Sequence, residues 1–256
     1  MKKRMFLAAG LVVFLTACGD EEEAVEETAE VEQTETETEE QVDSLHPVLE
    51  SGIEDARNWT SYSSTTELVQ EVADDETMNY IMDTEAIYMQ EPLTIFNKMT
   101  IVSNGAEMVD ESFLKDGVTY VKNEQGQWAA SDGSTELTVD GMQNKLADLM
   151  QSFVDFSSKI EESNDNEIAF DIRPANATGV LNAFFQYIYS TDFEGEIAES
   201  EDIYGQIFHD GNSVTGVAFN ATTIDPMSGN NQNMRFTVFF ENVNAVTEIT
   251  PEDFSL

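Results

Sequence analysis

Apolar positions recur along this chain in two rhythms. In three stretches they fall three and four residues apart, the spacing of one helix face. Val48, Leu49, Ile53 and Ala56 predict a short helix over residues 46–58. Met142, Leu146, Leu149, Phe153, Phe156 and Ile160 predict the clearest one, over 140–160, with Asp140 placed to cap it. Val180, Leu181, Phe184, Phe185 and Ile188 predict a third over 178–190. Elsewhere the rhythm is alternation, the signature of half-buried strands. Strands are expected over 59–72, 78–89 and 93–102, with Pro92 breaking the second and Asn104-Gly105 stopping the third. Residues 108–128 read as a meander turning at Lys115-Asp116-Gly117 and Asn123-Glu124-Gln125-Gly126, with Trp128 on its last strand. Further strands are expected over 168–172, 203–209, 214–224 and 234–243. Runs of hairpin-linked strands with few helices between them define an α+β class with a mainly antiparallel sheet.

The first 43 residues follow neither rhythm. Lys2, Lys3 and Arg4 precede an apolar run from Met5 to Leu15, too short for the roughly 20 residues of a membrane-spanning helix. The run closes on Leu15-Thr16-Ala17-Cys18, and Cys18 is the chain's single cysteine. This ending resembles the lipobox of bacterial lipoproteins. The resemblance implies a signal peptide over 1–17, transfer of a diacylglycerol to the Cys18 sulfur, cleavage before Cys18 and a second acyl group, such as palmitate, on the new N-terminus. Two chains give durable anchoring where one gives only marginal binding. The expected location is the outer face of the bacterial cell membrane. With Cys18 acylated, disulfides, thiolate metal sites and cysteine nucleophiles are excluded.

Residues 19–43 carry 13 acids and no base among Thr, Ala, Val and Gln. Such a segment buries too little apolar surface to offset its ordering entropy, so 18–45 reads as a lipidated cysteine followed by a disordered acidic tether. The remainder, 46–256, is long enough for one domain with a sizeable core. Of the −40 net charge, about −30 belongs to that body. A surface so acidic repels nucleic acid and anionic lipid head groups. It also suits a salty or alkaline habitat, where a short Debye length makes self-repulsion tolerable.

The motifs of catalysis are missing from the sequence. No Gly-x-Ser-x-Gly occurs, and Gly211-Asn212-Ser213-Val214-Thr215-Gly216 opens a hairpin rather than a strand-to-helix elbow. His46 and His209 stand alone, without metal-ligand spacing or triad partners. Asp74-Asp75-Glu76 and Asn164-Asp165-Asn166-Glu167 offer hard oxygens without the EF-hand spacing. Phosphate loops and dinucleotide fingerprints are absent. The reading is non-enzymatic, with no cofactor and no metal; a carboxylate-based hydrolase is the minor alternative.

Methionine is the remaining signal. Met78, Met82, Met89 and Met99, with Met108 shortly after, are interleaved with Tyr80, Tyr88 and Phe96. Flexible, polarizable thioethers recur on surfaces that accept varied apolar ligands. These strands either line a groove for an acyl chain or face the helices as ordinary core.

Several features together resemble a family of Gram-positive cell-surface lipoproteins. They are the lipobox, the charged tether, the opening helix, Leu114-Lys115-Asp116-Gly117-Val118-Thr119-Tyr120 with Gly126-Gln127-Trp128 downstream, and the closing Ile249-Thr250-Pro251-Glu252-Asp253-Phe254. That family's fold is similar to the lipoprotein carrier LolA and the mycobacterial LppX/LprG lipoproteins. The resemblance implies a strongly curved antiparallel half-barrel with helices on its concave side. It also implies an apolar or amphiphilic, lipid-like ligand, for which Met82, Tyr88, Met99, Phe153, Phe156, Phe184 and Phe185 are the candidate lining. The alternative is a surface sensor or protein-interaction module with a filled core, its partner unspecified.

Overall fold

The computed structural model describes residues 47–74, 76–131, 142–164, 166–189, 191–193, 196–197, 203–224 and 229–251. Cys18, the acidic tether and the capping Asp140 lie outside them. Helix α1 (Pro47–Arg57) opens the described chain. Strands β1 (Ser61–Val72), β2 (Tyr80–Met89), β3 (Thr94–Ser103), β4 (Ala106–Lys115), β5 (Val118–Lys122) and β6 (Trp128–Ala130) follow. Helix α2 (Met142–Phe156) leads to β7 (Lys159–Asn164) and β8 (Glu167–Ile172). Helix α3 (Ala177–Tyr189) is followed by β9 (Glu196–Ile197), β10 (Ile203–His209), β11 (Val214–Ile224) and β12 (Asn231–Glu241).

All described pairings are antiparallel, and the sheet runs β6-β5-β4-β3-β2-β1-β12-β11-β10-β8-β7, with β9 beside β11. The protein is an α+β fold built on one large, curved, open sheet with helices on its concave side. The first strand is central because β1 pairs with the last, β12. Two-residue turns set the register of the N-terminal meander. Asn104 and Gly105, and likewise Asp116 and Gly117, all have φ between 52° and 75°. Positive φ at both central positions matches the right-handed twist of the flanking strands, and Asn, Asp and Gly tolerate it.

The three helices pack on one face, called inner here. Leu49, Ile53 and Ala56 of α1, Leu146, Leu149 and Phe153 of α2, and Val180, Leu181 and Phe184 of α3 are buried in one core with the inward residues of the sheet. Complete burial of such a side chain is worth about 1.5–3 kcal/mol. A smaller core lies on the outer face, where Met89, Phe113, Trp128 and Ile249 meet. The C-terminal segment crosses that face, pinned at its start. The Asn244 side chain accepts from the Thr60 N–H at 2.7 Å, and the Val246 N–H donates to the Ser61 hydroxyl at 3.1 Å.

One boundary departs from the sequence pattern. The helix expected to reach Ile160 ends at Phe156, and Ile160 instead stands on β7 opposite Phe170. The Ser158 N–H donates to the Asp171 carbonyl at 2.7 Å, starting the β7–β8 ladder. Residues four apart share a face under either rhythm, so Ile160 matched the helical stripe while belonging to the hairpin. The last strand also begins earlier than expected, at Asn231.

Candidate ligand-binding face

Cross-strand register assembles the inner face into rungs. Phe170, Gly205, Phe219, Phe236, Leu68, Met82, Ile101 and Met108 stand opposite one another in succession, from β8 across to β4. Burial changes along this rung. Phe170, Phe219, Phe236 and Leu68 are buried under the helices, Met82 and Ile101 are half-buried, and Met108 is 51% exposed. The core therefore continues outward as an apolar strip on β2, β3 and β4. A second apolar rung, Tyr62, Tyr88, Ile95 and Leu114, runs near the other end of these strands and is buried throughout. Between the two lie rungs dominated by small or hydroxyl-bearing residues: Ser64, Ala86, Asn97 and Ser112, then Thr66, Thr84, Met99 and Asp110. These shorter and more polar side chains separate the two apolar rungs.

The candidate residues divide accordingly. Met82 and Met99 stand on neighbouring rungs of this face, opposite Ile101 and Thr84 respectively. Tyr88 is buried, its ring 5.3 Å from that of Tyr62. Burial, with the neighbouring Tyr187 and Tyr88 hydroxyls, holds the Tyr62 hydroxyl well above the usual tyrosine range. Phe153 is fully buried between Phe170 and Phe219, and Phe184 between Phe219 and Phe236, with centroid separations of 5.0–6.1 Å. These rings fill the space between α2, α3 and the sheet. Phe156 lies against Gly179 of α3 and is 37% exposed, while Phe185 packs on Phe184 and Phe193. Neither Phe156 nor Phe185 belongs to the methionine strip. Ile101 and Met108 do, although composition alone did not single out Ile101. The Asn104-Gly105 turn carries the signal: once it closes a two-residue hairpin, Ile101 must oppose Met108.

The outer face differs in chemistry. A trough of about 370 Å³ crosses β12, β1, β2 and β3, with Thr65, Glu67, Asp83, Glu85, Lys98 and Phe239 along it. Glu85, Lys98, Glu111 and Lys122 alternate in sign across β2 to β5. The Lys122 ammonium lies 3.0 Å from the Glu111 carboxylate. Phe239 lies over Gly216, and its ring meets that of Phe208 at 5.4 Å.

A family model for a family of unknown function, DUF6612, matches residues 44–168, just under half of the chain. No curated protein matches the sequence. Among solved structures the chain is similar to a LolA superfamily protein from Nitrosomonas europaea. That match has 11% identity and a TM-score of 0.26, and covers 75% of this chain and 91% of the other. It is also similar to a DUF1329 family protein from Desulfovibrio piger, at 8% identity and a TM-score of 0.25, covering 80% and 96%.

Proposed function

We propose that this protein is a non-enzymatic lipoprotein, tethered through acylated Cys18 to the outer face of the cell membrane, that receives an apolar or amphiphilic ligand on the inner face of β1 to β4. The observation that carries the reading is the rung Leu68, Met82, Ile101 and Met108, which passes from buried core to exposed methionine without a polar interruption. An acyl chain laid along it gains about 25 cal/mol for each Å² of apolar surface removed from water. The hydroxyl-bearing Thr66 and Thr84 on the next rung offer partners for the polar end of an amphiphile. Thioether side chains adapt to chains of varied shape.

Native mass spectrometry of the chain purified from its own host, followed by organic extraction, tests the reading. A co-purifying lipid supports it and names the ligand class. A clean apo mass, with no thermal stabilisation on adding lipid, overturns it. The anchor is tested apart from the ligand: Cys18→Ala should release the chain from the membrane fraction.

The second reading is an interaction module without cargo. The packed rings of Phe153, Phe184, Phe219 and Phe236 favour it, because they fill the region beneath α2 and α3. On that reading the methionine strip is a protein contact, and lipid has no effect on stability.

A further inference from the structure

Among the described residues the edge of β4 is only half covered. Strand β5 pairs with Ser112–Lys115, whereas the described pairings of Ala106–Asp110 are with β3 alone. The two hairpin turns fix which backbone groups are left over. In a two-residue hairpin the residues flanking the turn form a hydrogen-bonded pair, and alternate residues then bond to the same neighbour. Ser103 opposite Ala106 therefore directs Ala106, Met108 and Asp110 toward β3. Lys115 opposite Val118 directs Phe113 and Glu111 toward β5, and by the same alternation Val109 and Glu107. The N–H and C=O groups of Glu107 and Val109 point out of the open edge. Met108 and Val109 are 51% and 45% exposed, on the inner and outer face respectively.

An exposed edge with apolar side chains is a template for another strand. We propose that the free edge of β4 at Glu107–Val109 binds an extended segment of a protein partner, in which basic residues alternate with apolar ones. Charge selects this occupant. On the outer face the open edge presents Glu107 and Val109, the Glu111 carboxylate beside them being paired with Lys122, and on the inner face Ala106, Met108 and Asp110. A partner strand with Lys or Arg on its outer side faces Glu107 and the acidic body, and its apolar side meets Met108 and extends the methionine rung. A second copy of the chain is disfavoured. Antiparallel pairing of β4 with itself sets Glu107 directly opposite or diagonal to another Glu in every central register, and like charges so placed destabilise. The acidic bodies repel as well. This inference does not depend on the ligand reading.

The test uses the full chain and a capped nonapeptide alternating Lys and Val, with a Glu-for-Lys peptide as control. Val109→Pro removes one outward N–H, and proline is tolerated where a strand's N–H faces solvent, so the fold should persist. Circular dichroism checks that it does. Titration calorimetry should show the basic peptide binding at least tenfold more weakly to Val109→Pro than to the natural chain. Amide exchange at Glu107 and Val109 should slow in the complex. Equal binding by Val109→Pro would reduce the effect to bulk charge attraction and overturn the proposal, as would equal binding of the Glu peptide. A natural chain that sediments as a dimer, with Val109→Pro a monomer, would assign the edge to a second copy and also overturn it.

Discussion

The ring of Phe153 lies over Gly205, so close that a β-carbon there would come within 2.9 Å of the ring. Gly205 stands on the inner rung between Phe170 and Phe219, and Phe153 descends from α2 to stack on Phe219 and pack tilted on Phe170. The missing side chain is what lets a helix press a phenylalanine onto the sheet. Gly205→Ala should therefore force α2 outward, at an overpacking cost of about 1–3 kcal/mol. For a domain of this size the midpoint should fall by about 2–4 °C per kcal/mol, read by thermal unfolding. An unchanged midpoint would mean that α2 does not press on the sheet at this point.

Much of this arrangement was legible in the sequence. The helical stripes of α1, α2 and α3, the alternating strands and the Asn104-Gly105 and Asp116-Gly117 turns gave the α+β class and the local pairings. Periodicity could not give the long-range partners. Nothing in Ser61–Val72 says that β1 joins β12, since either edge of a strand offers the same hydrogen bonds. Strand β7 was hidden because Ile160 satisfies both rhythms. Side-chain type alone cannot separate Phe153, buried under α2, from Met99, on the half-open face. Register makes that separation, and only the closed hairpins supply it.

Stability should decline in alkali through the buried tyrosines. Burial raises the Tyr187 hydroxyl as well as that of Tyr62. A group whose folded pKa lies above its unfolded value of about 10 contributes fully below pH 10 and loses that contribution as pH rises toward the folded value. Each tyrosine should then cost about 1.4 kcal/mol per pH unit above 10. Urea unfolding of the natural chain, Tyr62→Phe and Tyr187→Phe at pH 9 to 11.5 measures this. Each substitution should flatten the decline, and parallel curves would refute the assignment.

Salt should stabilise the protein. With 51 acids against 11 bases, unlike-charge pairs are far outnumbered, and the described ion pairs, such as Arg57 with Asp148 at 2.7 Å, lie largely at the surface. Raising NaCl from about 0.05 to 1 M shortens the Debye length to about 3 Å and screens the self-repulsion. The thermal midpoint should rise by several degrees, and a flat or falling midpoint would show that repulsion does not limit stability.

The inner rung allows ligand binding to be separated from folding, because burial decreases along it while register stays constant. Leu68 is 1% exposed, Ile101 is half-buried and Met108 is mostly open. A carboxylate at Leu68 would be an unpaired charge in the core, and Leu68→Glu should fail to fold. Ile101 is half-buried beside exposed Met108, so the same charge can reach water there, and Ile101→Glu should keep its circular dichroism and unfold cooperatively. It should nonetheless lose at least tenfold in stabilisation by, or retention of, a co-purified lipid. Met108→Glu should do the same at smaller structural cost. If Ile101→Glu folds and retains lipid as the natural chain does, the ligand is not on the methionine strip. If no variant, nor the natural chain, responds to lipid, the strip is the contact surface of a cargo-free module.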